Sequence, residues 1–133
     1  MVERVVDGDT LDIRMGRRTA RVRLIGINTP ETVDPRRPAE CYGHEASELA
    51  KHLLPSGTPI RVERDVEARD DYDRLLAYVY RASDHLFVNL ELLQQGAAVP
   101  LRIEPNTAYA TAFADAAIAA EQAGRGLWSQ CPR

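Results

Sequence analysis

The sequence predicts an α+β domain in which a small five-stranded β-barrel carries three α-helices, and three observations support this fold class. Apolar and polar residues alternate with a period of two in the first part of the chain, as they do in half-buried strands. Later segments instead carry apolar residues at helical spacing. The chain has 133 residues, of which 44% are hydrophobic, so residues 1–133 are long enough to bury one core as a single domain.

The first third of the chain is predicted to form three neighbouring strands. Residues 1–6 form a short strand, and residues 10–15 alternate apolar and polar side chains. Gly16 begins a turn, after which residues 19–27 form a longer strand that is rich in β-branched and apolar residues. Because the connections are short, we expect these strands to pair in sequence as a meander.

A loop and a helix follow the three strands. Residues 32–42 include Pro35 and Pro38 among mixed charges, which is typical of an exposed loop. Next, five apolar residues fall on one face of a helix: Ala46, Leu49, Ala50, Leu53 and Leu54. Pro55 and Gly57 end this helix.

The second half is predicted to contain two strands followed by two helices. Residues 59–63 and 75–80 form the strands, separated by an acidic, solvated segment at 65–73. Residues 89–95 form a short helix that ends at Gly96. Either Asn106 or Thr107 caps the last helix, which Gly124 ends.

This order of elements fits a Greek-key OB barrel, in which one sheet face and its loops bind a ligand such as nucleic acid. Other α+β folds fit the same order, so the pattern alone predicts a small barrel with helices.

The overall charge limits the classes of function. The chain has 17 basic and 20 acidic residues and a net charge of −3. Proteins that only bind nucleic acid are usually basic, because neutralising phosphates supplies most of their affinity. The charge therefore disfavours a DNA-packaging role, yet it is compatible with a nuclease that has a local cationic cleft.

Histidines 44, 52 and 85 do not have the spacing of metal ligands. The sequence also offers no context for the serine or cysteine of a nucleophilic triad.

Export and membrane insertion leave few signals in the sequence. No apolar run has the length of a transmembrane helix, so we expect no membrane span. Charges at Glu3 and Arg4 do not match the start of a signal peptide. Cys41 and Cys131 match no zinc pattern, and the sequence leaves open whether they form a disulfide.

Two short polar motifs contain oxygen ligands. Asp7 and Asp9 flank Gly8 at a strand junction, and carboxylates suit a hard cation such as Ca²⁺. Asn28 and Thr29 follow a strand and could complete a cation site, with Glu31 available to accept a proton from water. Each motif taken alone is also explained as an ordinary turn.

Two arginines and one tyrosine are candidates for contacts with a nucleic acid. Arg23 lies in an apolar strand and Arg74 opens another, and guanidinium groups bind phosphate with two donors. Tyr72 could stack on a base. The alternatives are solvated strand residues for the arginines and simple packing for the tyrosine.

These motifs occur together in one order, and the combination resembles the staphylococcal nuclease (thermonuclease) family over residues 2–129. The segments that carry the resemblance are Val6 to Thr10, Arg23 to Glu31, Tyr42-Gly43 with Glu45-Ala46, Asp70-x-Tyr72-x-Arg74, Val88-Asn89, Gln95-Gly96 and Gly126 to Ser129. The resemblance implies an OB-fold barrel with three helices. It also implies calcium-dependent hydrolysis of DNA and RNA by attack of water, and we expect single-stranded substrates to be preferred.

The resemblance further implies a ligand set for Ca²⁺. Asp9 and Asn28 would bind the ion with their side chains, and Thr29 with its backbone carbonyl. Asp7 would hold one of the waters around the ion. The best-known member of the family has Asp where this chain has Asn28, so we predict weaker calcium binding here.

The remaining roles implied by the resemblance concern the substrate. Glu31 would be the general base, Arg23 and Arg74 would hold the phosphate, and Tyr72 would line the nucleotide pocket. Two positions depart from the family pattern: Asp71 replaces a basic residue beside the nucleotide pocket, and Arg102 stands roughly where a tyrosine is expected. Both departures predict altered nucleotide affinity and base preference.

The last expectations concern the oligomeric state and location of the protein and an alternative function. We expect a monomer that is secreted or attached to the cell surface, with a cytoplasmic location left open. The alternative is an inactive OB module that binds nucleic acid or a protein partner. The presence of Asp9, Arg23, Glu31 and Arg74 favours the enzyme, because a degenerate module is expected to have lost some of them.

Overall fold

The computed structural model describes residues 1–32 and 36–132 and consists of a five-stranded sheet, a small second sheet and several helices. Pro35 of the predicted loop lies outside the described residues, and Pro38 is exposed. The elements are β1 (Val2–Asp7), β2 (Thr10–Met15), β3 (Arg18–Leu24), β4 (Ile27–Asn28), α1 (Gly43–Leu53), β5 (Ile60–Glu63), β6 (Leu75–Arg81), α2 (Val88–Gln94), β7 (Val99–Pro100), α3 (Ala110–Gln122) and α4 (Leu127–Gln130).

The main sheet has the strand order β1-β2-β3-β6-β5. Its first three strands form the predicted antiparallel meander, β3 pairs with β6 in parallel, and β5 pairs with β6 antiparallel. Two backbone hydrogen bonds bring the outer strands together: Val2 N–H donates to Thr58 O at 2.9 Å, and Gly57 N–H donates to Val2 O at 2.8 Å. The α+β class and the five-stranded sheet are therefore confirmed.

The core lies between the curved sheet and the helices. The predicted face of α1 is inside, since Ala46, Ala50 and Leu53 are buried. From the sheet, alternate residues such as Leu11 and Ile13 point inward, which is the period-two pattern of the sequence. Truncating a fully buried leucine of this kind to alanine costs about 2–5 kcal/mol, so the core fixes the positions of the strands that carry the polar motifs.

The predicted strand at 19–27 is interrupted. β3 ends at Leu24, Ile25 and Gly26 form a turn, and β4 then pairs with β7 in a separate two-stranded sheet. Gly26 has a φ of +81°, and a Cβ there would lie 2.6 Å from the ring of Phe113. A side chain is therefore excluded, and the turn lets Asn28 follow a different direction from β3.

The last helix begins later than its cap signals predicted. α3 starts at Ala110, because the side chain of Asn106 is used elsewhere. Asn106 Oδ1 accepts the Glu67 N–H at 2.8 Å, and its Nδ2 donates to Glu67 O at 2.9 Å. The three predicted helices are present as α1, α2 and α3, and α4 is a short addition.

Cys41 and Cys131 form a disulfide, which settles the question that the sequence left open. Their Cα atoms lie 5.9 Å apart, although the two residues are separated by 90 positions in the chain. The bond joins the segment before α1 to the segment after α4. Within residues 1–32 and 36–132, no helix has the length and apolarity needed to cross a membrane.

Candidate active site

One cavity of about 260 Å³ collects most of the polar residues that the sequence singled out. Those that line it are Asp7, Asp9, Arg23, Asn28, Thr29, Glu31 and Arg74. Tyr72 lies instead in an adjoining cleft of about 350 Å³, which shares Arg23 and Arg74 with the cavity. Residues separated by up to 67 positions thus meet at one place on the sheet.

The tight connection between β1 and β2 places the two aspartates at the cavity. β1 ends at Asp7, β2 begins at Thr10, and Thr10 pairs with Arg23 of β3. A Cβ on Gly8 would lie 2.7 Å from Thr29 Oγ1. Only glycine therefore allows the segment around Thr29 to pack on this connection. The turn and the cation site that the sequence offered as alternatives are therefore the same segment, because the turn places the carboxylates of Asp7 and Asp9 at the cavity.

Both aspartates are buried and tie the segment after β4 to the β1–β2 connection. Asp9 Oδ2 accepts the Thr29 N–H at 2.9 Å, and its Oδ1 accepts the hydroxyl of Thr10 at 3.0 Å. Asp7 Oδ1 accepts the hydroxyl of Thr32 at 2.8 Å. Each aspartate is only 7% exposed. Since a carboxylate has about four lone-pair sites, both retain capacity for a further partner.

Arg23 is held in place by the turn that follows its own strand. Its Nη1 donates to Leu24 O at 2.9 Å and to Ile27 O at 2.8 Å, and its Nη2 donates to Asn28 Oδ1 at 3.3 Å. The side chain is only 14% exposed. These partners fix the plane of the guanidinium group before any ligand arrives.

The charges around Arg23 act in opposite directions. Burial lowers the pKa of Arg23 below its ordinary value, the carboxylate of Asp9 opposes this change, and the positive charge of Arg74 lowers the pKa further. Asp9 Oδ2 lies 3.3 Å from Arg23 Nη2. An arginine remains protonated at neutral pH despite such a shift. The positive charges of Arg23 and Arg74 therefore lie in one cavity and repel each other, and an anion bound beside both would stabilise them.

Arg74 is oriented by Asp70. The Arg74 Nε donates to Asp70 Oδ2 at 2.7 Å, and the Arg74 N–H donates to Asp70 Oδ1 at 2.9 Å. Burial would raise the pKa of Asp70, but these hydrogen bonds, with a further one from the Tyr72 N–H, hold it below the ordinary value. Asp70 is therefore an ionised anchor for Arg74 at neutral pH. In the sequence, Asp70 stood out only as part of the family pattern.

Glu31 differs from the other residues because it is exposed and lies on a loop. Its N–H donates to Glu40 Oε1 at 3.0 Å, and its carbonyl oxygen accepts the Glu40 N–H at 2.9 Å. An exposed carboxylate at the edge of a polar cavity can accept a proton from a water inside the cavity. Sequence reasoning missed Glu40, since it lies in a loop that gives no periodic signal.

Asn89 is a second residue that sequence reasoning assigned no role. It is fully buried, and its Oδ1 accepts the Val79 N–H at 2.9 Å while its Nδ2 donates to Ile25 O at 2.9 Å. It thereby fixes the turn between β3 and β4, on which the positions of Arg23 and Asn28 depend. The Val88-Asn89 pair of the family pattern was the available signal.

The donor set of the cavity consists of oxygen atoms. In the part of the chain that the structure describes, no group of three or more His, Cys, Asp or Glu side chains forms a metal cluster. The cavity instead combines the carboxylates of Asp7 and Asp9 with the amide of Asn28. Beside them, Thr29 Oγ1 is buried and lacks a hydrogen-bond partner among residues 1–32 and 36–132. Such a set fits a hard cation, which prefers carboxylate, amide and hydroxyl or carbonyl oxygens.

The adjoining cleft is apolar on one side and charged on the other. Tyr72 is 82% exposed, and the Arg74 Cζ lies 5.5 Å from the centre of its ring. Leu101 and Ile103 supply exposed aliphatic surface, and Asp71 adds a negative charge. A flat, partly apolar ligand with a phosphate at the cavity end is compatible with this surface.

Arg102 does not line the cleft. Its Nε donates to Glu104 Oε1 at 3.1 Å, and the residue borders a third cavity beside Tyr78 and Phe113. The expected departure at Arg102 therefore lies on a neighbouring surface, whereas the one at Asp71 lies in the cleft itself.

Comparison with known proteins gives consistent matches along nearly the whole chain. The family model described as staphylococcal nuclease homologue matches residues 21–130. The thermonuclease of Staphylococcus intermedius is 38% identical over 130 residues, covering 98% of this chain and 76% of that protein. The thermonuclease of Staphylococcus hyicus is 35% identical over 128 residues, covering 96% of this chain and 74% of that protein. The SPbeta prophage-derived endonuclease YokF of Bacillus subtilis is 38% identical over 131 residues, covering 97% of this chain and 43% of that protein.

Proposed function

The chain belongs to the staphylococcal nuclease homologue family, and on this premise we propose that it is a calcium-dependent nuclease that hydrolyses phosphodiester bonds of DNA and RNA. The observation that carries the proposal is the composition of the cavity. It combines the guanidinium groups of Arg23 and Arg74, oxygen ligands for a hard cation and the exposed carboxylate of Glu31 within about 260 Å³. Metal-assisted hydrolysis of a phosphodiester can use all three, since cationic groups and a metal ion counter the phosphate charge and a carboxylate accepts the proton of water.

The two arginines bind the phosphate in this proposal. The reaction adds negative charge to a group that is already anionic, so fixed positive charges stabilise the transition state more than the substrate. Arg23 is held by backbone carbonyls and Arg74 by Asp70. Neither has to reorganise when the substrate binds. Because the two arginines are held by different partners, they supply positive charge from two sides of the phosphate.

Asp9, Asn28 and the Thr29 carbonyl would hold Ca²⁺, with Asp7 nearby to hold a water. When bound, the ion supplies further positive charge next to the phosphate and a place for water. Glu31 accepts a proton from the attacking water. Tyr72 stacks on a base beside the reacting phosphate, with the arginines at the phosphate end of the cleft.

Single-stranded substrate fits the cleft best. An exposed tyrosine can stack only on a base whose face is free, and the cleft lies directly beside the cavity. We extend the proposal to a closed OB barrel, which the hydrogen bonds between Val2 and residues 57–58 support. We also propose that the protein acts as a monomer. The Cys41–Cys131 disulfide supports a secreted or cell-surface location, since such bonds persist in oxidising compartments.

A time course of cleavage tests the proposal. The purified protein is incubated with a labelled single-stranded oligonucleotide in calcium, in magnesium, and in calcium with excess chelator. We expect cleavage with calcium, slower cleavage with magnesium, which demands stricter octahedral geometry, and none with chelator. Cleavage that is equally fast with chelator would overturn the calcium requirement. Binding of the oligonucleotide without cleavage at saturating calcium would favour the alternative of an inactive binding module.

A further inference from the structure

Glu40, which lies outside the cavity, holds the backbone of Glu31 at both of its polar groups. Its side chain accepts the Glu31 N–H at 3.0 Å, and its own N–H donates to the Glu31 carbonyl at 2.9 Å. The direction in which the Glu31 carboxylate leaves the main chain therefore depends on the position of Glu40.

The start of α1 fixes Glu40 from the other side. Gly43 N–H donates to Glu40 O at 2.8 Å. A Cβ on Gly43 would lie only 2.9 Å from Glu31 O, so the first turn of α1 is packed directly against the Glu31 peptide. α1 is anchored in the core by Ala46 and Ala50. Glu31 thus lies on a loop but is supported by a rigid element.

The disulfide adds a covalent support next to Glu40. Cys41 is the following residue, and its partner Cys131 lies directly after α4. α4 is itself fixed to the end of α2, because Leu127 N–H donates to Gly96 O at 2.8 Å. Cys41 is exposed, so a reducing agent can reach the bond.

We propose that Glu40 is a positioning residue for Glu31 and that the Cys41–Cys131 disulfide keeps Glu40 in place, so that turnover depends on both. This inference rests on the proposed function, in which Glu31 accepts the proton. A misplacement of about 1 Å from a change outside the chemistry can slow a reaction by about 100-fold. Glu40 makes its contacts with the backbone of Glu31, so its loss is expected to slow the chemical step and leave substrate binding unchanged.

Substitution of Glu40 tests the first half of the proposal. In Glu40→Ala we expect kcat for a single-stranded oligonucleotide to fall by about 10-fold to 100-fold with KM unchanged. Glu40→Gln keeps an oxygen that accepts the Glu31 N–H and is expected to restore most of the rate. Glu48→Ala is the matched control, because Glu48 is an exposed carboxylate of α1 whose ion pair is with Lys51. A wild-type kcat in Glu40→Ala, or an equal loss in Glu40→Gln, would overturn the positioning role.

Reduction tests the second half. An added dithiol supplies two electrons and two protons, the S–S bond breaks to give two thiols, and the dithiol becomes a disulfide. We expect kcat of the reduced wild type to fall at a temperature well below its unfolding midpoint, and to recover on reoxidation. The double variant Cys41→Ser with Cys131→Ser should be equally slow and insensitive to the dithiol. An unchanged kcat after reduction, with the thiols shown by titration, would contradict the role of the disulfide.

Amide hydrogen exchange separates this inference from the proposed function. The Glu31 amide is expected to exchange faster in Glu40→Ala and in the reduced protein than in the wild type or in Glu48→Ala. This readout needs no catalysis, so it tests the hold on Glu31 even if the protein cleaves nothing. Unchanged exchange in Glu40→Ala would overturn the inference. If Glu31→Gln cleaves at the full rate, it is the assignment of the base that fails.

Discussion

The two sides of the cavity are built in different ways. The strand half consists of Asp7, Asp9, Arg23 and Asn28, which lie on β1, β3 and β4 or in the short connection between β1 and β2. The loop half consists of Glu31, which Glu40 supports from outside the cavity. Asp7, Asp9 and Arg23 are largely buried, and the exposed Asn28 accepts a hydrogen bond from Arg23. Glu31 is exposed, and its hydrogen bonds to Glu40 are made by its backbone.

This difference separates two requirements of a catalytic site. The groups that counter the charge of a phosphate must not reorganise, and a sheet with paired side chains provides this rigidity. A group that takes up a proton must reach water, and a loop position provides this access. We therefore expect substitutions in the strand half to affect stability together with activity. Substitutions in the loop half should affect activity alone.

The largest combined effect is expected from Arg23→Ala. Loss of one electrostatic donor typically costs on the order of 100-fold to 1,000-fold in rate. The variant also leaves the carbonyls of Leu24 and Ile27 without their partner, which we expect to cost about 1–3 kcal/mol in the free energy of unfolding. Single-turnover cleavage of a single-stranded oligonucleotide and urea unfolding measure the two losses.

Arg23→Lys is the control for Arg23→Ala. Lysine keeps the positive charge but lacks the planar group that donates to two carbonyls and that the proposed function assigns to the phosphate. It is expected to recover stability in part and to remain slow. A loss of rate in Arg23→Ala without any loss of stability would remove the distinction between the two halves.

A smaller effect is expected from Asn28→Asp, which adds a negative charge to the strand half. A further charge–charge interaction near a protein surface is worth about 1–4 kcal/mol, so we expect the calcium concentration that gives half-maximal cleavage to fall about 10-fold. Titration of the cleavage rate with calcium measures this change, and Asn28→Ala should shift it in the opposite direction. An unchanged midpoint in both variants would place the ion away from Asn28.

The sequence predicted the fold better where its signals were periodic. The meander of β1 to β3 and the buried face of α1 follow from the alternation of apolar residues and from Ala46, Ala50 and Leu53. The turn at Ile25 and Gly26 was missed because apolar residues continue through it. The packing of Phe113 against Gly26 and the hydrogen bond from Asn89 to Ile25 O set the break, and both contacts join positions far apart in the chain.

The candidate site was also predicted only in part, because local patterns do not show which residues meet in the fold. Asp9, Arg23 and Glu31 each had an ordinary local explanation, and only their order in a family pattern brought them together. The pairing of Arg74 with Asp70 and the hold of Glu40 on Glu31 are contacts within loops, which give no periodic signal although the partners are close in the chain. The Cys41–Cys131 disulfide joins positions 90 residues apart, so no window of the sequence contained it.

Glu31→Gln provides the most direct test of the central claim that this cavity is the active site of a nuclease. The measurement is single-turnover cleavage of a single-stranded oligonucleotide at saturating calcium, with the free energy of unfolding determined on the same preparation. Since glutamine cannot accept the proton, the account predicts a rate at least about 100-fold below that of the wild type. Because Glu31 is exposed and its backbone contacts are retained, stability should stay within about 0.5 kcal/mol of the wild-type value. A variant that cleaves at the wild-type rate would contradict the account.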